Sequence, residues 1–146
     1  MMQAFHHTFE IQTQANFEIC DLTPSIQAWI ATTGVQTGQL TVIGQHTTTA
    51  LAINENETRL WEDIRVFLQK IAPAGDRYLH DDLHLRDVPE DEPINAHSHL
   101  MALLMNPSVV VPIVAGRLGL GTYQSILMLE LDGPRQRKVL CHLLGL

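Results

Sequence analysis

Histidine is the residue type in this chain whose number and spacing most strongly suggest chemistry. Eight of the 146 residues are histidines, at positions 6, 7, 46, 80, 84, 97, 99 and 142. Imidazole is the commonest metal ligand in proteins, and its pKa is easily tuned around neutral pH. A single histidine is more often structural than functional, so its surroundings must decide its role.

The surroundings of His46 favour a site. His46 ends a predicted strand with an otherwise apolar face and is followed by Thr47-Thr48-Thr49. An imidazole at a strand end, among hydroxyl groups, is well placed at the mouth of a pocket. The histidines at 6, 7 and 142 lie in predicted end strands without a companion pattern, and we interpret them as structural.

Two further histidine pairs are less clear. His80 and His84 have the i, i+4 spacing of a helical metal pair, but the loop character of their segment argues against that geometry. His97 and His99 are two apart on a predicted helix and therefore point to nearly opposite faces. At most one of them can face a given site, and the residues alone do not choose.

Two other polar groups could contribute. Asn54-Glu55-Asn56 stands at a strand-to-helix junction, where it could cap the helix, supply oxygen ligands near His46, or do both. The glycine-rich stretch Gly116–Gly121 matches no nucleotide-binding pattern and is most simply a hairpin turn. Such a turn can still offer backbone N–H groups to an anion, with Arg117 as a phosphate partner. No GxSxG motif is present, so nucleophilic serine or cysteine catalysis is unsupported.

The elements that would position these groups follow from hydrophobic periodicity and turn residues. An early hairpin is expected from two strands, and helices are expected after Thr23, over Glu57–Ala72 and over Asn95–Asn106, the last capped by Asn95. The remaining predictions are strands in Gln3–Thr13, Phe17–Asp21, Gly38–Asn54 and from Ser108 onward, with a loop over Asp76–Glu92. Strands at both ends with helices between them predict an α+β fold with a largely antiparallel sheet, in a single domain over 1–146.

Composition excludes several classes of function. The net charge of −7 and the lack of a basic stripe argue against nucleic-acid binding, so the short cluster Arg135, Arg137 and Lys138 is interpreted as solvated surface. Six acids and one arginine in Asp81–Glu92 form a solvated loop or a cation-attracting rim beside a site. No apolar run is long enough to cross a membrane. Two isolated cysteines and no visible signal sequence predict buried thiols in a cytoplasmic protein.

Four motifs in this chain resemble the YjbQ family, also called UPF0047. They are Gln45–Leu51 with Asn54–Asn56, Tyr78–Asp81, Ser98–Leu100 and Gly116–Ile126. They occur in the family's order and spacing, and the resemblance runs from about Phe5 to the C-terminus. The family is named in protein catalogues as secondary thiamine-phosphate synthase.

The resemblance implies a compact α+β fold, usually a homotrimer, and three histidines that gather at a metal-binding pocket. Carried onto this chain these are His46, His80 and His99, which selects His99 over His97. The implied cofactor is a divalent metal such as Zn, Ni or Mg. The family's last motif contains Arg117, Thr122 and Gln124, and Glu130 matches an acid that commonly follows it. The chain departs from the pattern by having Met101 in place of a lysine, Tyr123 in place of a tryptophan, and Leu131-Asp132 in place of His-Arg.

The resemblance therefore implies a metal-binding enzyme that acts, as a weak activity, on a small phosphorylated substrate. The reaction implied by the family name joins a pyrimidine pyrophosphate to a thiazole phosphate and releases pyrophosphate. Arg117, Glu55 and Gln124 are the candidate catalytic residues beside the three histidines. A metal-dependent hydrolase of a phosphorylated molecule, and a non-catalytic homotrimer that holds a metal or a ligand, are the alternatives.

Overall fold

The computed structural model describes all 146 residues. It contains eight strands and three α-helices. The helices are α1 (Thr23–Thr33), α2 (Thr58–Ile71) and α3 (Ala96–Leu104). The strands are β1 (Gln3–Gln12), β2 (Glu18–Asp21), β3 (Thr37–Gly44), β4 (Thr49–Asn54), β5 (Ser108–Val114), β6 (Arg117–Leu118), β7 (Ser125–Glu130) and β8 (Gln136–Gly145). Every strand pair is antiparallel, so the predicted α+β class is confirmed.

The strands form two sheets, with strand orders β1-β8-β3-β5-β6 and β2-β7-β4. The predicted early hairpin is wrong, because β1 pairs with the C-terminal strand β8 while β2 joins β7 in the other sheet. Residues 13–17 therefore cross from one sheet to the other. Local β-propensity predicts both strands but carries no information on which distant strand each will meet.

The three-stranded sheet is the middle layer of the molecule. One side of it, including Leu51 and Met128, packs with α1 against the five-stranded sheet. The other side, including Ala50 and Leu129, packs against α2 and α3. Strand β7 is the central strand of this sheet, and its residues from Ile126 to Glu130 are all buried. A strand covered on both faces is hydrophobic without alternation, as Ile126–Leu129 is.

Two helix starts differ from the expected caps. Glu57 caps α2, since its side chain accepts hydrogen bonds from the backbone N–H groups of Arg59 at 2.9 Å and Leu60 at 2.6 Å. The Asn95 side chain makes no capping bond to α3. Asp81 takes that role, because its Oδ1 accepts from the N–H of Ala96 at 3.1 Å.

The segment predicted as a loop over Asp76–Glu92 contains two short 3-10 turns, Leu79–Asp81 and Leu83–Leu85. The bond from Ala96 to Asp81 ties the first turn to the start of α3. None of the helices is both long and apolar enough to span a bilayer.

Candidate functional site

A polar cavity of about 380 Å³ lies where the segment after β3 meets the start of α3 and the segment between β7 and β8. No hydrophobic residue lines it. The lining residues are Gln45, His46, Thr47, Thr48, Glu92, Pro93, Asn95, His99, Asp132, Arg135 and Arg137. A second cavity of about 460 Å³ shares His46, Thr47 and His99 with the first and runs along Leu100 and Leu103 of α3. His46 and His99 thus stand where a polar and a largely apolar cavity meet.

His46 is fixed by strand β8. The N–H of Gln45 donates to the carbonyl of Lys138 at 3.2 Å, and the N–H of Lys138 donates to Nε2 of His46 at 2.8 Å. A neutral ring whose Nε2 accepts carries its proton on Nδ1. His46 in this arrangement is therefore a hydrogen-bond donor and would have to give up the bond to Lys138 to bind a metal. Burial, followed by the charge of Arg137, lowers the pKa of His46 and favours its neutral form.

His80 and His99 form a pair at the start of α3. Their ring centroids are 4.7 Å apart and the rings meet edge to face. Arg86 donates to the carbonyl of His80 at 3.0 Å, which with the bond from Ala96 to Asp81 holds the 3-10 turn against the helix. Nε2 of His80 is buried without a hydrogen-bond partner. Burial, followed by the neighbouring His80, lowers the pKa of His99.

The other histidines lie apart from this cavity. His97 lines a different cavity with Phe17 and Met101, on the opposite side of α3, as the two-residue spacing required. His6 and His142 stack on each other across β1 and β8, with centroids 4.6 Å apart. His84 belongs to the second 3-10 turn.

A buried ion pair forms the base of the polar cavity. Arg137 donates to both carboxylate oxygens of Glu130, at 2.6 and 2.5 Å, and also to Oγ1 of Thr48 at 2.9 Å. The hydroxyl of Thr13 donates to Glu130 at 2.9 Å. Glu130 is 0% exposed and Arg137 3% exposed. Burial by itself would raise the pKa of Glu130, but the hydrogen bonds from Arg137, the Asp132 N–H and Thr13 outweigh it and lower that pKa.

A second ion pair, between Asp132 and Arg135, lines the same cavity. Asp132 accepts through Oδ2 from Arg135 at 2.9 Å and from the Asn95 amide at 2.7 Å. Glu92, at the end of the acidic segment, faces Arg86 at 3.6 Å. Arg135 and Arg137, the two arginines that line the cavity, therefore already have carboxylate partners, so neither guanidinium is free for an anion.

The three predicted catalytic residues do not line this cavity within one chain. Asn54 pairs with Ser125 at the far end of the β4–β7 ladder, so Glu55 and Gln124 lie at the end opposite to His46. Arg117 is in β6, the outermost strand of the other sheet. Gln124 accepts from the N–H of Gly121 at 2.8 Å and stabilises the glycine-rich turn.

The single-chain arrangement does not contain the predicted cluster of three histidines. No group of three or more His, Cys, Asp or Glu side chains is close enough together to hold a metal ion. The structure brings His80 and His99 together and places His46 in the same cavity as His99. The two cysteines are free, and burial raises the pKa of each thiol to about 12, which leaves no thiolate nucleophile at neutral pH.

Sequence reasoning missed the residues that build the cavity itself: Asn95, Asp132, Arg135 and Arg137. The interpretation of Arg137 as solvated surface is wrong, since it is buried. Alternation along β8 contained the signal, because Arg137 shares a side with Val139, Cys141 and Leu143, all of which face the core.

The class of protein is thus a single-chain α+β fold of two antiparallel sheets, with a polar cavity that contains His46 and His99. The family model described as UPF0047 protein YjbQ-like matches residues 7–146, and the chain belongs to that family. A UPF0047 protein of Archaeoglobus fulgidus is 43% identical over 130 residues, covering 89% of this chain and 94% of that protein. A UPF0047 protein of Methanothermobacter thermautotrophicus is 36% identical, covering 94% and 90%.

Solved structures agree with the fold. A YbjQ-like protein of unknown function from Sulfolobus solfataricus P2 aligns with a TM-score of 0.89 at 30% identity and covers 100% of both chains. A hypothetical protein from Aeropyrum pernix K1 aligns with a TM-score of 0.88 at 37% identity, covering 97% of this chain and 99% of that one. The family resemblance found in the four motifs is thereby confirmed.

Proposed function

We propose that the polar cavity is the active site of a divalent-metal-dependent enzyme acting on a small phosphorylated molecule. The observation that carries the proposal is the His80 Nε2 atom, which is buried without a partner beside the ring of His99. A buried polar atom without a hydrogen bond costs free energy unless a ligand satisfies it. A metal bound by two neighbouring imidazoles would satisfy it.

His80 and His99 are the residues that would hold the metal. Imidazole nitrogen suits Zn²⁺, Ni²⁺ and Cu²⁺ better than Mg²⁺, so the first two are the ions to test. A metal with two protein ligands keeps open positions, and when bound it would neutralise and polarise phosphoryl oxygens. His46, which lies in the same cavity as His99, is the third candidate ligand if its bond from Lys138 is released.

With its bond from Lys138 in place, His46 would act as a hydrogen-bond donor instead of a metal ligand. Its Nδ1–H is available to donate to an anionic oxygen in the cavity, since Nε2 is held by Lys138. The hydroxyl side chains of Thr47 and Thr48 line the same wall. Because Arg135 and Arg137 are paired with Asp132 and Glu130, these neutral donors and the metal would have to bind the phosphate.

The reaction implied by the family resemblance is the one we would assay first. The ring nitrogen of a thiazole phosphate forms a C–N bond to the methylene carbon of a pyrimidine pyrophosphate, and the C–O bond to pyrophosphate breaks. The pyrophosphate leaves with the bonding electron pair, so the chain must stabilise negative charge on the leaving group. The donors of the cavity suit that task, and they suit hydrolysis of a phosphorylated molecule equally.

The test combines metal content with activity. We expect the purified full chain to bind Zn²⁺ or Ni²⁺, measured by calorimetry, and His80→Ala and His99→Ala each to weaken binding by at least about tenfold. His97→Ala is the matched control, because it changes the same helix on the side that faces another cavity. Whichever activity is detected, thiamine phosphate formation or hydrolysis of a phosphorylated molecule, should stop when a chelator removes the metal. Equal metal affinity in all three variants would contradict the proposal.

One observation favours a non-catalytic alternative. Glu55, Arg117 and Gln124 are outside the cavity of their own chain, so one chain contains a ligand site without the expected catalytic groups. A homotrimer could supply them from a neighbouring subunit. Apolar residues exposed on the outer face of the five-stranded sheet support association, namely Ile43, Val110, Val114 and Leu144. Sedimentation would establish the assembly, and metal binding without turnover in an intact assembly would favour a binding protein.

We also retain the cytoplasm as the proposed location. Its support is chemical, since two free cysteines without a disulfide suit a reducing compartment. Fractionation of the source cells would test it.

A further inference from the structure

Asn95 lines the polar cavity and has a side-chain oxygen without a hydrogen-bond partner. It precedes α3 and is 5% exposed, yet its side chain makes no capping hydrogen bond to that helix. Asn is a preferred capping residue because its side-chain oxygen normally accepts from the first backbone N–H groups of a helix. Here Asp81 accepts from the N–H of Ala96 instead, and Asn95 is one of the residues that line the polar cavity.

The orientation of this amide is fixed by its neighbour. Nδ2 of Asn95 donates to Oδ2 of Asp132 at 2.7 Å, and Arg135 donates to the same oxygen at 2.9 Å. A carboxylate paired with a guanidinium is ionised and can only accept, so the nitrogen end of the amide must face Asp132. The oxygen end must then point away from it.

The oxygen end has no partner. Oδ1 of Asn95 is buried and accepts no hydrogen bond, although the residue lines the cavity together with His99 and Asp132. No group of this chain satisfies the acceptor, so a donor from a ligand in the adjoining cavity would. The metal proposed at His80 and His99 and the donors of His46 would take the anionic end of a ligand, which leaves Asn95 for a different part of the same molecule.

We propose that Asn95 is a specificity-determining residue that accepts a hydrogen bond through Oδ1 from an amino or hydroxyl group of the phosphorylated ligand. This rests on the proposed function, which supplies the phosphate end of the ligand. Asp132 and Arg135 are positioning residues, because they set which end of the amide faces the cavity.

Pairs of small phosphates that differ only in one donor group test the inference. Calorimetry on the Zn²⁺-loaded full chain would compare 2-hydroxyethyl phosphate with ethyl phosphate for a hydroxyl donor, and 2-aminoethyl phosphate with ethyl phosphate for an amino donor. In at least one pair we expect the donor-bearing member to bind about tenfold more tightly, because its absence leaves Oδ1 unpaired. The pair that shows the preference identifies the donor.

Two variants separate this role from a structural one. Asn95→Leu keeps the approximate shape without the acceptor and should reduce the preference to within about twofold. Asp132→Asn is isosteric and lets the neighbouring amide donate, so Asn95 can reverse and present Nδ2; the preference should then shrink or invert. That variant keeps the test available if Asn95→Leu does not fold.

The outcomes distinguish the two proposals. If the wild-type chain binds both members of each pair equally, the phosphate site stands and the role of Asn95 is wrong. Retention of the full preference in Asn95→Leu, with wild-type thermal stability, also overturns it. If no phosphate binds to the metal-loaded chain, the proposed function itself fails and the inference fails with it.

Discussion

Strands β4 and β7 have similar polar residue types at both ends of their pairing, but the two ends differ in how far these residues are buried. At one end Thr49 pairs with Glu130, and at the other Asn54 pairs with Ser125, roughly 17 Å away at about 3.3 Å per residue. The first end, next to His46, buries its acid. The second end, with Glu55 and Gln124, leaves its polar groups exposed.

The difference lies in what supports each polar group. Glu130 is enclosed by donors from Arg137, Thr13 and the Asp132 backbone, which together make a rigid base for the cavity. At the exposed end Glu57 caps α2 and Gln124 accepts from a turn N–H, which are local structural tasks. Acids and amides near a strand end therefore do not by themselves identify a site, and burial with supporting contacts is what sets Glu130 apart from Glu55.

The largest effect should come from breaking the buried ion pair. Arg137→Met leaves the carboxylate of Glu130 buried without its partner, and we expect a loss of about 3–5 kcal/mol in the free energy of unfolding. Urea denaturation measures it. Arg65→Met is the matched control, because its pair with Glu62 is solvent-exposed on α2, and it should leave the urea midpoint unchanged. A midpoint for Arg137→Met equal to that of the wild type would remove the distinction between the two ends.

The close packing around this pair gives the next effect. A Cβ on Gly133 would lie 2.3 Å from the carbonyl oxygen of Ala15 and 2.8 Å from Cγ of Glu130. Gly133→Ala should therefore destabilise the fold by about 1–3 kcal/mol, measured by thermal unfolding. Gly75→Ala has open space at the corresponding position and is the control. If the two variants unfold at the same temperature, the base of the cavity is more deformable than its contacts indicate.

The same pair should make stability sensitive to acid. The pKa of Glu130 is lowered from its ordinary value of 4.5, so its contribution is complete above pH 4.5 and is lost as pH falls through the folded-state pKa. Unfolding free energies from pH 7 to 3 should therefore fall less steeply in Glu130→Gln than in the wild type. Glu62→Gln is the control, because the pair that lowers the pKa of Glu62 is solvent-exposed and should change the slope less. Parallel curves for the wild type and Glu130→Gln would refute this assignment.

The smallest effect belongs to the exposed end. Glu57→Ala removes two bonds to backbone N–H groups at the start of α2 and should cost about 1 kcal/mol, measured by urea denaturation. Glu55→Ala should cost nothing measurable, because no hydrogen bond to its carboxylate is present. A larger loss for Glu55 than for Glu57 would mean that Glu55 has a partner outside its own chain, as a shared site between subunits requires.

Much of the local structure could be predicted from the residues. The stripe of Leu60, Ile64 and Leu68 located α2 to within one residue at each end, and Gly34 ended α1 in the left-handed conformation that glycine favours. The alternation in β4 correctly predicted that Leu51 and Ile53 lie on one face of the strand, and Ala50 and Ala52 on the other. These features depend on neighbours within one or two turns, which the chain order specifies directly.

The site was predictable only in part. The two-residue spacing of His97 and His99 required that they face different cavities, and they do. The acidic segment was expected to be either a solvated loop or the rim of a site, and Glu92 at its end lines the polar cavity. Asn95 was expected to cap its helix, and its amide is instead oriented by Asp132. A side chain with several possible hydrogen-bond partners takes the one that folding brings nearest, which chain order does not specify.

The sequence alone determined the element types, the α+β class and the family, because periodicity, turn residues and motif spacing are local or cumulative along the chain. Tertiary structure alone decided that β1 pairs with β8, that His80 meets His99, and that Arg137 is buried against Glu130. The physical reason is that each of these contacts depends on how two sheets and two helices pack as layers. Packing of that kind fixes which distant polar groups lose water together and must then satisfy each other.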